Sequence, residues 1–259
     1  MITGKLESVI WFLKRPRLYP QFLHLIKLKL FQKSEPDTRA ESELWCAALA
    51  TDVAQAVQQI TGVAIGAPIA ETFKPVFDEA RKKAEACPVV MGGPGALDLL
   101  YYLAKNLKAQ RVIETGVAYG WSSLALLLAL REHKAARLIS TDMPYVRGKN
   151  DPYVGCVVPD DLKKCWEIIK LSDLQALPQA LNKLSVIDLC HYDSDKTYRG
   201  RLWAYPKLWS ALKKGGCFIS DDIGDNVGFR DFARQLGLKP IVVRLKTVAT
   251  TTYVGILIK

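Results

Sequence analysis

Cysteine motifs are missing from this sequence. Six cysteines stand at 46, 87, 156, 165, 190 and 217, with no Cys-x-x-Cys pair and no short even framework. That spacing argues against a disulfide scaffold and for reduced thiols in a core. Long apolar runs are lacking too. The densest, Leu124 to Leu130, falls well short of the ~18 residues a membrane span needs and sits within an amphipathic helical pattern. The opening residues, Met-Ile-Thr-Gly-Lys-Leu-Glu-Ser, have none of the three regions of a signal peptide, so a cytoplasmic enzyme is expected. There is no internal repeat and no low-complexity tract.

What is present is an ordinary globular composition, 49% hydrophobic and 24% charged, over 259 residues. A chain of this size builds one main core rather than two. The net charge of +10 is uneven, because residues 1 to 34 hold seven Lys/Arg against the single acid Glu7. The remainder carries only +4, so a basic face for nucleic acid across the main domain is not expected.

Residues 6 to 32 read as two short amphipathic helices interrupted by Pro16 and Pro20, with a cationic outer face. They are expected to form a lid or a homodimer arm, with contact to a membrane surface as the alternative. A polar hinge over 33 to 41 leads to a helix predicted from Ala40 to Ile60, and another from Pro75 to Ala86. The Gly-Gly-Pro-Gly turn at 92 to 95 then opens a helix from Ala96 to Leu107. From Arg111 onward, short apolar strands alternate with helices, which predicts a parallel sheet wound on both faces. The strands are Arg111 to Glu114, Arg137 to Thr141, Glu167 to Leu171, Val186 to Cys190 and Cys217 to Ser220. Two more, Pro240 to Leu245 and Thr251 to Ile258, follow too closely for a parallel crossover and must form an antiparallel hairpin. The expectation is an α/β, Rossmann-like, seven-stranded sheet domain over 91–259, preceded by a helical extension over 1–90.

The segment Arg111-Val-Ile-Glu-Thr-Gly-Val-Ala-Tyr-Gly-Trp-Ser-Ser123 supplies a strand, an acid, two glycines four apart and a helix. Open α/β sheets bind ligands at the carboxyl ends of their strands, where small residues let the backbone approach. Here the chain resembles the first motif of class I S-adenosylmethionine methyltransferases. The resemblance implies cofactor contacts from Glu114, Thr115, Gly116, Ala118, Gly120 and Ser122. It also implies Asp142 at the ribose, Ser172 and Asp173 at the adenine, and Met143 and Asp193 as further cofactor contacts. A nicotinamide-dependent oxidoreductase is the competitor, since Asp142 also lies ~20 residues past a glycine turn. The fingerprint Gly-x-Gly-x-x-Gly is absent, however, and Glu114 would repel a diphosphate. A noncatalytic nucleotide-binding protein or membrane-peripheral partner is the other alternative.

After the fourth strand comes Asp188-Leu-Cys-His-Tyr-Asp-Ser-Asp-Lys-Thr-Tyr-Arg-Gly200, and after the fifth Ile219-Ser-Asp-Asp-Ile-Gly224. This pairing is similar to metal-dependent O-methyltransferases of the catechol and macrocin types, a likeness that covers roughly residues 91 to 259. It implies Asp193, Asp221 and Asp222 as ligands of a divalent ion, Mg²⁺ for preference, with Lys196 and Asp193 as catalytic residues. Carboxylates leaving strands ~4.8 Å apart can converge on one oxygen-seeking cation, which would acidify a substrate hydroxyl. A lysine of depressed pKa could then take the proton. The implied reaction is methylation of a hydroxyl on a small metabolite or sugar-containing natural product. Amino-group and base methyltransferases often carry Asn/Asp-Pro-Pro-Tyr/Phe at this point, and Tyr192 to Asp195 does not match it. His191 reads as strand-end packing, Cys190 and Cys217 as core, and Trp203, Tyr205 and Trp209 as one face of a packed helix.

Overall fold

The computed structural model of the chain describes residues 2–31, 34–246 and 250–259. Two helices, α1 (Ile2–Leu13) and α2 (Tyr19–Phe31), are joined by a 3-10 turn at Pro16–Leu18, where proline supplies the first helical position. Next come α3 (Arg39–Leu49), β1 (Ala50–Thr51), α4 (Val53–Thr61), α5 (Ile69–Thr72), α6 (Lys74–Glu85) and α7 (Leu97–Asn106). The alternating part follows as β2 (Arg111–Thr115), α8 (Trp121–Leu130), β3 (Arg137–Thr141), β4 (Trp166–Ile169), α9 (Asp173–Leu184), β5 (Ile187–Tyr192), α10 (Tyr198–Ala211), β6 (Leu212–Ser220) and α11 (Gly228–Gln235). The chain closes with β7 (Ile241–Lys246) and β8 (Thr251–Ile258).

The strands form one sheet in the order β1-β7-β8-β6-β5-β2-β3-β4. Pairing is parallel throughout, except that β8 runs antiparallel to both β6 and β7. The predicted Rossmann-like parallel sheet with a C-terminal antiparallel pair is thus present. It has eight strands rather than seven, because the helix predicted from Ala40 to Ile60 is two helices separated by β1. Thr51 and Asp52 make the break: Thr51 is extended, and the Asp52 carboxylate accepts from Gln55 N at 2.8 Å to cap α4. Residues 39–90 do not sit apart from the sheet. Ala50 and Thr51 pair with Val242 and Val243, while Ala56, Val57, Phe77 and Ala80 lie in the core with α7 and α8.

Apolar side chains fill both faces of the sheet, one core beneath α4 to α8 and the other beneath α9 to α11. The Leu124–Leu130 run is not amphipathic after all: every residue of it is buried, as expected of a helix that is apolar all round. Trp11, Phe12 and Leu18 form a smaller cluster, against which Phe22, Met143 and Leu171 pack. This fixes α1 and α2 near the carboxyl ends of β3 and β4.

Candidate active site

Four strands end in register. Thr115 pairs with Thr141 and with Tyr192, and Tyr192 with Ser220. The next residue of each strand donates its amide to a neighbouring strand's last carbonyl. Gly116 N reaches Thr141 O at 2.8 Å, Asp193 N reaches Thr115 O at 2.9 Å, and Asp221 N reaches Tyr192 O at 2.9 Å. Gly116, Asp142, Asp193 and Asp221 thereby stand in one row above the sheet, at the floor of a cleft of ≈ 1110 Å³. That volume suits a nucleoside-sized molecule and a second small substrate together.

On one side of the row the loop after β2 turns under the cleft. Gly116 has φ +83°, and a Cβ there would lie 2.4 Å from the Asp193 carbonyl oxygen, so only glycine fits. Ala118 also takes a left-handed conformation, φ +50°. The Asp142 carboxylate holds the loop by accepting the amides of Val117 and Ala118 at 2.8 and 2.9 Å. Burial pushes the Asp142 carboxyl up, partly offset by those two amides. Asp173 accepts from Thr141 Oγ1 at 3.1 Å and from Ser194 Oγ, and burial raises its carboxyl likewise. Of the residues expected at a cofactor site, Gly116, Ala118, Ser122, Asp142, Met143, Ser172, Asp173 and Asp193 all line the cleft.

Glu114, Thr115 and Gly120 do not line it. Glu114 is wholly buried, accepting from Ser123 Oγ at 2.5 Å and Ser140 Oγ at 2.6 Å. It shares a face with His191, its partner in the parallel pair, but its carboxylate is taken up by these two hydroxyls beneath the cleft floor. Thr115 spends its hydroxyl on Asp193 N and Ser194 Oγ. Gly120 packs against Gly155.

The other side of the row carries a cluster of titratable side chains. His191 and Asp193 are two residues apart, and His191 pairs with Ile219, itself two before Asp221, so all three side chains leave one face. One donor atom from each of His191, Asp193 and Asp221 lies within 4.8 Å of the others. His191 is buried, with Nε2 3.8 Å from Asp221 Oδ2 and Nδ1 3.8 Å from Glu114 Oε1. Burial alone would lower its pKa, but Asp221 and Glu114 outweigh this and hold it up to about 10. Neither contact is short enough for a hydrogen bond, so Nδ1 and Glu114 Oε1 are buried without one among the described residues. Burial, together with the Asp221 charge, pushes the Asp193 carboxyl up to about 6.

The expected trio Asp193, Asp221 and Asp222 is therefore not the one that converges. The chain leaves the strand at Ser220, and Asp222 turns into a left-handed conformation, φ +47°, that carries its carboxylate to Lys196. Lys196 Nζ bridges Asp222 and Asp193, the latter at 3.0 Å. Burial would lower the ammonium's pKa, yet the two carboxylates raise it above the ordinary lysine value, the reverse of the depression expected for a resting base. The turn is held from below by Arg201, a fully buried guanidinium that donates to the Asp222 carbonyl at 2.7 Å and the Asp221 carbonyl at 3.3 Å.

Several lining residues escaped the sequence reading. The Gly92–Gly95 turn, taken only as a helix start, forms a wall of the cleft, and a Cβ on Gly95 would sit 3.3 Å from Asp221 Oδ2. Trp203 faces the cleft, whereas Tyr205 is buried in the core as expected. Gln21, His24 and Leu28 of α2 also line it.

Residues 113–223 match the sequence model of a methyltransferase domain. Comparison with curated proteins returned no match. Among solved structures, the chain is similar to an O-methyltransferase from Bacillus cereus in complex with S-adenosylhomocysteine. That pair has TM-score 0.58 and 16% identity over 83% of this chain and 100% of the other. It is similar also to a Streptomyces achromogenes O-methyltransferase of tomaymycin synthesis in complex with S-adenosylmethionine, at TM-score 0.52 and 16% identity over 79% and 96%. An S-adenosylhomocysteine-bound methyltransferase from Podospora anserina gives TM-score 0.51 and 14% identity over 88% and 99%.

Proposed function

We propose that the chain is a class I methyltransferase, which moves the methyl group of S-adenosylmethionine to a hydroxyl of a small metabolite or sugar-containing natural product. The observation that carries this reading is the row Gly116, Asp142, Asp193, Asp221, which sets a clamped glycine loop beside converging carboxylates in one cleft. The loop side takes the methyl donor, with Asp142 at the ribose and Ser172 and Asp173 at the base. The acceptor then sits over Asp193, Lys196 and Trp203. Its oxygen lone pair attacks the methyl carbon as the carbon–sulfur bond breaks, leaving a neutral thioether, and its proton passes to the Asp193–Lys196 pair. Because the sulfonium already activates the methyl group, alignment supplies most of the rate.

The donor set suits a divalent cation. Asp193 and Asp221 offer hard oxygen donors from adjacent strands, close enough that a cation would relieve their repulsion, and His191 would add a third atom once a bound cation displaced its proton. A bound Mg²⁺ would lower the acceptor hydroxyl's pKa. Lys196 competes for the same carboxylates, and Asp222 serves to hold it rather than an ion.

Calorimetry with S-adenosylhomocysteine and with NAD distinguishes this reading from an oxidoreductase. Binding of the former and its weakening by at least about tenfold, or ~1.4 kcal/mol, in a folded Asp142→Ala protein is expected. Unchanged affinity in that variant defeats the ribose assignment. Chelation and Asp221→Asn should each abolish methyl transfer while leaving that binding in place. A full rate in excess chelator removes the metal and leaves Asp193 and Lys196 as an acid/base pair.

A further inference from the structure

The two N-terminal helices carry an apolar surface that nothing among the described residues covers. On α1, Leu6, Val9, Ile10 and Leu13 recur at helical spacing and are exposed. On α2, Tyr19, Leu23, Ile26 and Leu30 do the same, with Leu23 64% and Leu30 68% exposed. Inward residues of the same helices are accounted for, since Trp11, Phe12 and Leu18 are buried and Gln21, His24 and Leu28 line the cleft. Successive residues turn by about 100°, so the 21/24/28 face and the 19/23/26/30 face lie on opposite sides of α2. The outward stripes are therefore a second, separate surface rather than the edge of the core.

Charge decides what covers it. Lys14, Arg15, Arg17, Lys27 and Lys29 are all exposed on these helices and their connection. Glu7 is the only acid among residues 1 to 34, and it is paired with Arg147 at 3.1 Å. A second copy packed on the stripes by twofold symmetry would bring two such cationic rims together. An anionic bilayer offers acyl chains to the stripes and phosphates to the rim.

We propose that α1 and α2 are a membrane-docking element, through which the protein binds reversibly to anionic lipid surfaces with the apolar stripes at the headgroup boundary. The inner face of α2 then lines the catalytic cleft while its outer face meets lipid. The docking does not depend on which reaction the cleft performs.

Flotation of the full-length protein with phosphatidylcholine vesicles, with and without about 30% phosphatidylglycerol, tests this at low and high salt. Binding to the anionic vesicles that weakens as salt rises, and at least about tenfold weaker binding to neutral ones, is expected. Leu23→Ser/Ile26→Ser/Leu30→Ser should lose the interaction, and Lys27→Glu/Lys29→Glu should lower it at least about tenfold, both retaining the parent melting curve. The charge variant keeps the test decisive if the triple variant fails to fold. The proposal is overturned if the protein stays with the soluble fraction, if neutral vesicles bind equally, or if both variants float like the parent. It is overturned as well if sedimentation shows a dimer that the triple serine substitution separates, since the stripes then belong to a second copy.

Discussion

Gly116 is where loop conformation and the geometry of the cleft meet, because its left-handed backbone brings the β2 loop against the Asp193 carbonyl. Gly116→Ala should cost about 2–4 kcal/mol, from positive-φ strain plus a contact with backbone that cannot yield. It should also lose S-adenosylhomocysteine binding. Urea unfolding and calorimetry measure both, and a variant that keeps parental stability and affinity contradicts the close approach. That glycine was legible in the sequence because its spacing after a strand has a physical purpose. The identity of the third group at the carboxylate cluster was not. Period-two alternation along β5 already places His191 on the Asp193 side, but predicting the strand to end at Cys190 hid the relation. Arg201 gave no signal at all: an arginine on a helix reads as solvated until tertiary packing buries it under the 221–222 turn.

At the scale of elements, β5 is anchored at its far end from the cleft. Asp188 accepts the amides of Gln110 and Arg111 at 2.9 and 2.8 Å and pairs with Lys213 at 2.9 Å, joining β2, β5 and β6. Burial would raise this carboxyl, but Lys213 and the two amides hold it below the usual carboxylate range. A folded-state pKa below the unfolded one gives stability that is present above about pH 4 and lost as pH falls through the lower value. Asp188→Asn should therefore be destabilised by about 1–3 kcal/mol at neutral pH, with the gap to the parent narrowing below about pH 4. Thermal melts across that range check it, and a gap that is constant with pH speaks against the ionic anchor. The strands of the alternating region were readable because each is a short apolar run between turn signals. β1 was not, since two residues carry no periodicity, although Asp52 is an ordinary helix cap and could have divided the long predicted helix.

For the whole molecule, the parallel sheet followed from the alternation of strands and helices, and the reversed last strand from spacing, because too few residues separate β7 from β8 for a crossover. The share of the N-terminal region in the main domain could not be read so, for it rests on pairings between the two ends of the chain. Ala50 pairs with Val242, and the buried Ser42 Oγ lies 2.8 Å from the Ile223 carbonyl and 3.0 Å from that of Asn226, one hydrogen shared between them. This closure has a consequence in time. A ribosome adding about 5–20 residues per second finishes α3 and β1 roughly ten to forty seconds before β7 exists to receive them. These early segments must wait with their inward faces uncovered, so the fold is completed only after the last strands are made. In refolding followed by pulsed hydrogen exchange, amides of residues 39–51 should gain protection after those of β2 and β3. If they are protected at the same moment, the N-terminal segment docks without its C-terminal partners and the order of events is different.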